Sequence, residues 1–503
     1  MKRWAAGITL VVVVLGARAA HAQAVQNVVL RNSFNPTGAG ARGLGMGGAF
    51  IAVADDGTAA SFNPAGLAQL RRTEFAVVGF SDLLKSDLTV PKGTESVTTH
   101  NEARHQRPDF AGLALPFEVS GRNLTLQLSY QRAVDLFGRG VATVQDTVPL
   151  SQIDPTLRGS GDIIADISPD QSGAFHTISL VAGYQLTSRL SLGTAVNYWF
   201  SQWTAKGTNS FRLRVRPAGS SRAVEVPLLS DQFHQDQSMH GVNFNTGILL
   251  KYPRVSVGAV VRLPFTGDYS LVEKDTQTAF DSGKAQPAQA LDFDVKTRLH
   301  WPRSAGAGVA LRPLRGLTFT GDYSHSAWSR ASLEDVPAGA LLTAQSFNAQ
   351  GDPQDSFTNR NFFDLLPASE TATVDTSQWR AGAEYLVTAL PKVVIPLRAG
   401  IFRDRSPISD LGRNEGRRIT GWTAGTGINF PHVVLDVAFE RRESAGTVSL
   451  RLKAGQPVPS DAATESVREE RVVASLIFRF SDDDPIKRAL HYVFVGPKEK
   501  ENP

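Results

Sequence analysis

From Thr73 onward, apolar residues alternate with polar or small ones along the chain. In Val242-Asn243-Phe244-Asn245-Thr246-Gly247-Ile248-Leu249-Leu250, the residues Val242, Phe244, Ile248 and Leu250 share one face, while Asn243, Asn245 and Gly247 share the other. Residues 419–430 repeat this with glycine, threonine and asparagine on the second face. In the segment after it, Val433, Leu435, Val437 and Phe439 oppose Asp436 and Glu440. A period of two is that of a β-strand, whose side chains point alternately to its two faces. Fourteen such segments are predicted: about 73–86, 106–117, 122–135, 174–186, 189–203, 239–251, 254–270, 290–312, 316–331, 376–388, 392–406, 417–430, 432–444 and 470–480. Pro302 interrupts the eighth and predicts a bend or a split there, because proline donates no ladder hydrogen bond.

The connections alternate between short and long. Short turns fall near 118–121, 187–188, 252–253, 313–315, 389–391 and 431, and longer loops are expected at 136–173, 204–238, 332–375 and 445–469. An even strand number with turns at one end and loops at the other describes an outer-membrane barrel, and a soluble sandwich has no reason to sort its loops this way. The fold class is therefore all-β: a fourteen-stranded antiparallel transmembrane β-barrel. With the apolar parity toward lipid, Arg262, Asp322, Arg380, Glu384, Arg398, Asp404, Asp436, Glu440 and Arg479 face inward. Trp199, Trp203, Trp328, Trp379 and Trp422, with Tyr198 and Tyr323, lie toward the long-loop ends, where indole and phenol groups form headgroup girdles. Trp199 and Trp328 fall on the inward parity and point to a lumen role. No single bulge is evident in the third segment.

Composition agrees with a barrel. The chain has no cysteine to staple it, so its stability must come from backbone hydrogen bonding and burial. After Ala22 no apolar run is long enough for a membrane helix. The net charge of +4 is small for 503 residues and argues against a nucleic-acid binder. Lys2 and Arg3, the apolar stretch Ala5–Ala17 and the small-x-small Ala20-His21-Ala22 read as a signal peptide over 1–22. The expected organisation continues with an N-terminal hatch (23–72) in the lumen, the barrel (73–480) and a periplasmic tail (481–503), with both termini periplasmic. Phe478-Arg479-Phe480, with aromatics two apart, resembles the terminal signal read by the outer-membrane assembly machinery.

Between signal peptide and barrel lies a glycine-rich run, Gly38-Ala39-Gly40-Ala41-Arg42-Gly43-Leu44-Gly45-Met46-Gly47-Gly48, that continues to Asn63-Pro64-Ala65-Gly66-Leu67. Gly38 to Gly43 spells G-x-G-x-x-G, but a dinucleotide site needs a preceding strand and a βαβ unit. Compact packing is the better reading, because Gly45, Gly47 and Gly48 let backbone approach backbone in a narrow lumen. Asn63-Pro64 restricts Asn63 to extended or turn geometry, Gly66 permits a reversal, and Asp55, Asp56 and Asn63 suit caps or bonds to a polar wall.

The run GARGLGMGGAFIAVADDGTAASFNPAGLA, followed by about fourteen strands, resembles the FadL family of outer-membrane transporters, and WPRSAGAGVALRPLRGLTFTGDYSHSAWS (301–329) is similar to its central hairpin. The resemblance implies an N-terminal hatch whose Asn-Pro-Ala motif, here Asn63, Pro64 and Ala65, plugs the barrel. It also implies passive uptake of long-chain fatty acids or other hydrophobic compounds, with lateral release past the lipopolysaccharide layer. The partners implied are a hydrophobic small molecule, outer-membrane lipid and lipopolysaccharide; the chain is expected to be a monomer without nucleic acid or cofactor. Candidate ligand contacts are the loop residues Leu228, Leu229 and Phe280. Arg262, Arg380 and Arg398 are further candidates, facing a carboxylate if the ligand carries one. The competing role for these arginines is pairing with Asp322, Glu384, Asp404 and the hatch. An alternative function is docking in protein secretion, as in FadL-like barrels resembling PorV, for which the 332–375 loop and the tail are suited. A hydrophobic tunnel would favour transport, and a lumen of charged pairs would favour docking. No enzyme is expected: no triad or paired carboxylate stands out, and His100, Glu102 and His105 read as a polar loop before a metal site.

Overall fold

The computed structural model describes residues 34–481, apart from 36, 93–94, 151–157, 217–220, 282, 335, 338–355, 358–359, 362–372, 410–414 and 448–463. The expected signal peptide, and all of the tail beyond Ser481, lie outside the described residues.

Fourteen antiparallel strands close into a barrel. They are β1 (Glu74–Lys92), β2 (Glu95–Val119), β3 (Arg122–Asp135), β4 (Ser160–Gln185), β5 (Leu190–Val215) and β6 (Val224–Lys251). Three strands come in two pieces: β7 (Val255–Arg262 and Phe265–Asp281), β8 (Gln289–Trp301 and Ser304–Leu314) and β9 (Leu317–Ser326 and Ser332–Leu333). The ring is completed by β10 (Thr376–Leu390), β11 (Val393–Ser409), β12 (Gly416–Asn429), β13 (Val433–Thr447) and β14 (Thr464–Arg479). β14 pairs with β1 from Glu74↔Arg479 to Thr89↔Thr464, which joins the first strand to the last and closes the barrel. The short turns are where the pattern predicts them, and Pro302 does split β8. The breaks in β7, β8 and β9 lie side by side: Phe265 opposes Trp301, and Ser304 opposes both Arg262 and Ser326.

The outer face is apolar over one band, with Leu180, Phe244 and Ile401 among the most exposed side chains. The long loops are shorter than expected. Residues 204–215 and 224–238 are strand, and Ala142–Pro149 adds a further strand against β4. β4, β5 and β6 run to 26, 26 and 28 residues, against the roughly 9–11 that cross a bilayer. The alternation persists in these extensions with its phase inverted. On β5, Leu192, Val196 and Tyr198 face outward beside inward Ser191 and Asn197; higher up, Trp203, Ala205, Phe211 and Leu213 are buried inside while Gln202 and Lys206 face out. Trp203 thus belongs to the interior, not to the girdle. Tyr198, Tyr323, Trp379 and Trp422 are the exposed aromatics of that level.

Candidate functional site

Residues 34–72 fold back into the barrel as a short helix α1 (Ala41–Gly45) and two 3₁₀ turns, Ala59–Ser61 and Pro64–Gln69. Asn63 begins the second turn with extended backbone, as the following proline demands, and its Oδ1 accepts from the Ala65 N–H at 3.1 Å. Its Nδ2 donates to the Ile51 carbonyl at 3.0 Å and to the Ile248 carbonyl of β6 at 3.1 Å, with the side chain fully buried. One amide therefore caps a turn, ties two parts of the segment together and fastens both to the wall. Gly66 makes no left-handed reversal. It lies within the turn, where a Cβ would stand 2.1 Å from the Ala54 carbonyl oxygen.

The wall is cut to receive this turn. Gly183, Gly193 and Gly247 are cross-strand neighbours on β4, β5 and β6, and a Cβ on Gly193 or Gly247 would stand 2.2 Å from Ala65 N or 2.0 Å from Asn63 Oδ1. A second seat on β10–β12 takes Gly45 and Gly47. Thr423 Oγ1 accepts from Gly47 N at 2.9 Å and donates to the Gly45 carbonyl at 3.0 Å. Gly47 and Gly48 have φ of 68° and 75°, which favours glycine, and a Cβ on Gly47 would meet the Ala381 carbonyl at 2.7 Å. These wall glycines were missed in the sequence. Their signal was available, as glycines on the inward parity of adjacent strands.

Charge completes the attachment. Arg42 of α1 makes a two-pronged bond to Glu384 (3.0 and 3.0 Å) and reaches Asp55 at 2.6 Å. Arg398 donates to Glu384 at 2.7 Å and to Asp436 at 2.6 Å. Arg380 donates to the Gly47 carbonyl at 2.9 Å, and Asp322 accepts from Ile51 N at 2.9 Å. Arg398 is thus held by wall acids and Arg380 by the N-terminal segment, while the Nη2 of each makes no hydrogen bond among the described residues. Arg262 has no acid among the described residues, and its one bond is to the Ser61 carbonyl at 3.4 Å. Leu228 and Leu229 are not in a loop. They lie on β6 in a buried interior cluster with Leu88, Phe211, Leu213 and Phe233, and Phe280 is half-buried at the top of β7.

Above the segment the lumen has two sides. One is a cavity of about 1300 Å³, partly open to solvent, lined by Asp82, His105, Asp109, Arg132, Arg442 and Arg471 among others. The other is apolar: the Trp301 ring centre lies 5.4 Å from that of Trp199 and 5.2 Å from those of both Phe175 and Trp328, in tilted and edge-on contacts, in a cluster with Phe34 and Phe265. A second cavity of about 760 Å³ opens beside it, lined by Phe34, Phe110, Trp199, Trp301 and Arg262. The two share Thr37, Gln131, Ala133, Val134 and Arg262. The lumen is therefore neither a wholly hydrophobic tunnel nor filled by charged pairs.

A seam in the wall adjoins both cavities. The β2–β3 ladder ends at Phe110↔Gln131, and β3 carries a bulge at Ala133 that the sequence did not reveal. Beyond it, His105 meets Asp135 at 2.7 Å and Asn101 bonds Val141 across the gap. His100, Glu102 and His105 sit on β2, not in a loop, and cannot converge: His100 and Glu102 are exposed, bonded to Asp87 and Arg104, whereas His105 is nearly buried. Donor atoms of Asp82, His105 and Asp135 do lie within 4.8 Å of one another, but Arg471 grips Asp82 and Arg132 grips Asp135, which makes this an ion-pair network. The Gly38–Gly43 stretch leads into α1 against the barrel wall, with no βαβ unit among the described residues.

No family model matches the sequence, and no curated protein does. Among solved structures, a FadL homologue of Pseudomonas aeruginosa is similar at TM-score 0.53 and 16% identity over 89% of this chain and 100% of that one. The CymD monoaromatic hydrocarbon channel gives 0.50 and 17% over 90% and 100%. The Pseudomonas putida toluene transporter TodX gives 0.50 and 14% over 89% and 99%. At these identities the likeness is one of fold, and the chain has the FadL-type barrel fold.

Proposed function

We propose that the chain is an outer-membrane channel for passive uptake of hydrophobic compounds, long-chain fatty acids or hydrocarbons, with residues 34–72 acting as its hatch. The carrying observation is the apolar side of the lumen. Buried Leu213, Leu228, Leu229 and Phe233 lie above, the Phe175–Trp203–Trp301–Trp328 cluster follows, and a cavity then reaches the hatch at Ala60 and Ser61. An apolar solute gains about 25 cal/mol per Å² buried against the two clusters, whereas the cavity below them also presents Gln131, Asn197, Asn243, Asn245 and Arg262. A hatch held by side-chain bonds to a preformed wall can shift while the barrel's ladders stay intact. The β2–β3 seam, where side chains replace backbone pairing, is the exit this reading favours. The charged side is engaged with the hatch and the seam, so it does not by itself favour docking of a protein partner. Most of the 332–375 segment on which that alternative relied lies outside the described residues.

The test is uptake of radiolabelled fatty acids, alkanes and monoaromatics by a deletion strain with and without the chain. Uptake of at least one class is expected to depend on it. Equal uptake of every class with and without the chain would refute the transport reading.

A further inference from the structure

Outside the lumen, β11 and β12 carry an unusual concentration of positive charge. Arg403, Arg405 and Arg418 share the outer face, and Arg405 lies directly opposite Arg418 across the ladder. Like charges in that position repel and destabilise a sheet. One described carboxylate answers them: Arg405 donates to Glu415 at 2.6 Å. That bond, together with the fields of Arg405, Arg418 and Arg403, holds the exposed Glu415 carboxyl below its usual range. Among the described residues, Arg403 and Arg418 have no ion pair. Immediately below, Arg403 opposes the exposed Trp379, and Ile401, exposed to 64%, opposes Trp422. The arginines therefore stand one step above an aromatic girdle and an apolar surface, on the side of the long strand extensions.

This is the profile of a site for an anionic amphiphile: guanidinium forks for a phosphate, with a lipid-facing wall beneath for acyl chains. We infer that Arg403, Arg405 and Arg418 hold the phosphate of an outer-leaflet phosphorylated glycolipid, of the lipopolysaccharide kind, with its acyl chains against Ile401 and Leu397. The inference rests on the reading that the long-strand end faces outward, and not on the transported compound.

The test is native mass spectrometry of the full-length protein in detergent, titrated with bisphosphorylated lipid A, with dephosphorylated lipid A and with inorganic phosphate alone. Paired Arg403→Gln/Arg418→Gln substitution is expected to weaken binding of the phosphorylated lipid about tenfold or more. Arg104→Gln/Arg107→Gln, on the outer part of β2, should leave it unchanged. Equal binding of dephosphorylated lipid, equal loss in the β2 variant, or binding of inorganic phosphate as strong as that of the lipid would each overturn the assignment. Heat-modifiable gel mobility shows that each variant is folded. Uptake by the β11–β12 variant should match the parent, which keeps this site separate from the transport reading.

Discussion

Asn63→Ala is the sharpest perturbation of the hatch. It removes three hydrogen bonds: the cap on Ala65 N and the bonds to the Ile51 and Ile248 carbonyls. Buried bonds of this kind are worth about 1 kcal/mol net each, so the folded and docked hatch loses about 3 kcal/mol in all, of which about 1 kcal/mol is the bond that fastens the Pro64 turn to the wall. That is roughly a hundredfold rise in the population whose hatch is both undocked and unravelled, and about fivefold in the population that undocks intact. The barrel has no share in this loss, since its ladders close through β14 and β1 without the hatch. Planar-bilayer recordings should therefore show longer or more frequent large-conductance events, and a protease should nick the glycine-rich run faster, while the heat-modifiable band shifts at the native temperature. Asn63→Asp keeps the acceptor for Ala65 N but sets a buried carboxyl oxygen against the Ile51 and Ile248 carbonyls in place of two donors, so its loss should be at least as large as that of Asn63→Ala. Native conductance and native protease resistance in Asn63→Ala would refute the reasoning, as would a drop in the barrel's own melting temperature of the same size.

Gly247→Val attacks the same contact from the wall, where a Cβ would stand 2.0 Å from Asn63 Oδ1; it should assemble normally yet conduct and be proteolysed as Asn63→Ala is. Glu384→Gln strips the acid shared by Arg42 and Arg398. Breaking a buried pair costs about 3–5 kcal/mol, so protease susceptibility of the hatch should exceed that of Asn63→Ala. Phe34→Ala frees the space that this ring takes beside Trp328, and a monoaromatic or acyl ligand should bind about tenfold tighter by isothermal calorimetry.

The strand inventory was legible because lipid enforces one rule on every strand: apolar outward, small or polar inward. Where that rule stops, the reading stopped. Strand β5 was expected to end near 203 because beyond it the outward residues are Thr204, Lys206 and Thr208 and the inward ones Ala205, Phe211 and Leu213. The period is still two, but its phase is inverted, and a search for one constant face discards it. The same inversion moved Trp203 indoors and turned Leu228 and Leu229 from loop residues into interior ones. Asn63-Pro64 was legible because proline constrains its neighbour locally. Its seat was not, because Gly183, Gly193 and Gly247 come from three strands and meet only through register. The bulge at Ala133 is of the same kind: Arg132 and Val134 show no local anomaly, and only their successive partners His176 and Phe175 reveal the extra residue.

The two-sided lumen gives a physical reason why hatch and ligand should interact. Phe34 packs edge-on to Trp328 at 6.0 Å and lines the smaller cavity beside the aromatic cluster. The next residue, Asn35, donates to Asp404 at 2.5 Å and to the Arg405 carbonyl at 2.9 Å, and accepts from Trp328 Nε1 at 2.9 Å. A ligand entering that cavity competes with Phe34 for the same aromatic surface and disturbs the anchor beside it. Its binding energy is then spent partly on loosening the segment that continues, a few residues on, into Arg42 and Gly47. A ligand that touched the docked and undocked arrangements equally would shift nothing, however tightly it bound. Competition at Phe34 supplies the necessary difference. The charged side, whose bonds the apolar ligand cannot replace, sets how much of that difference is needed.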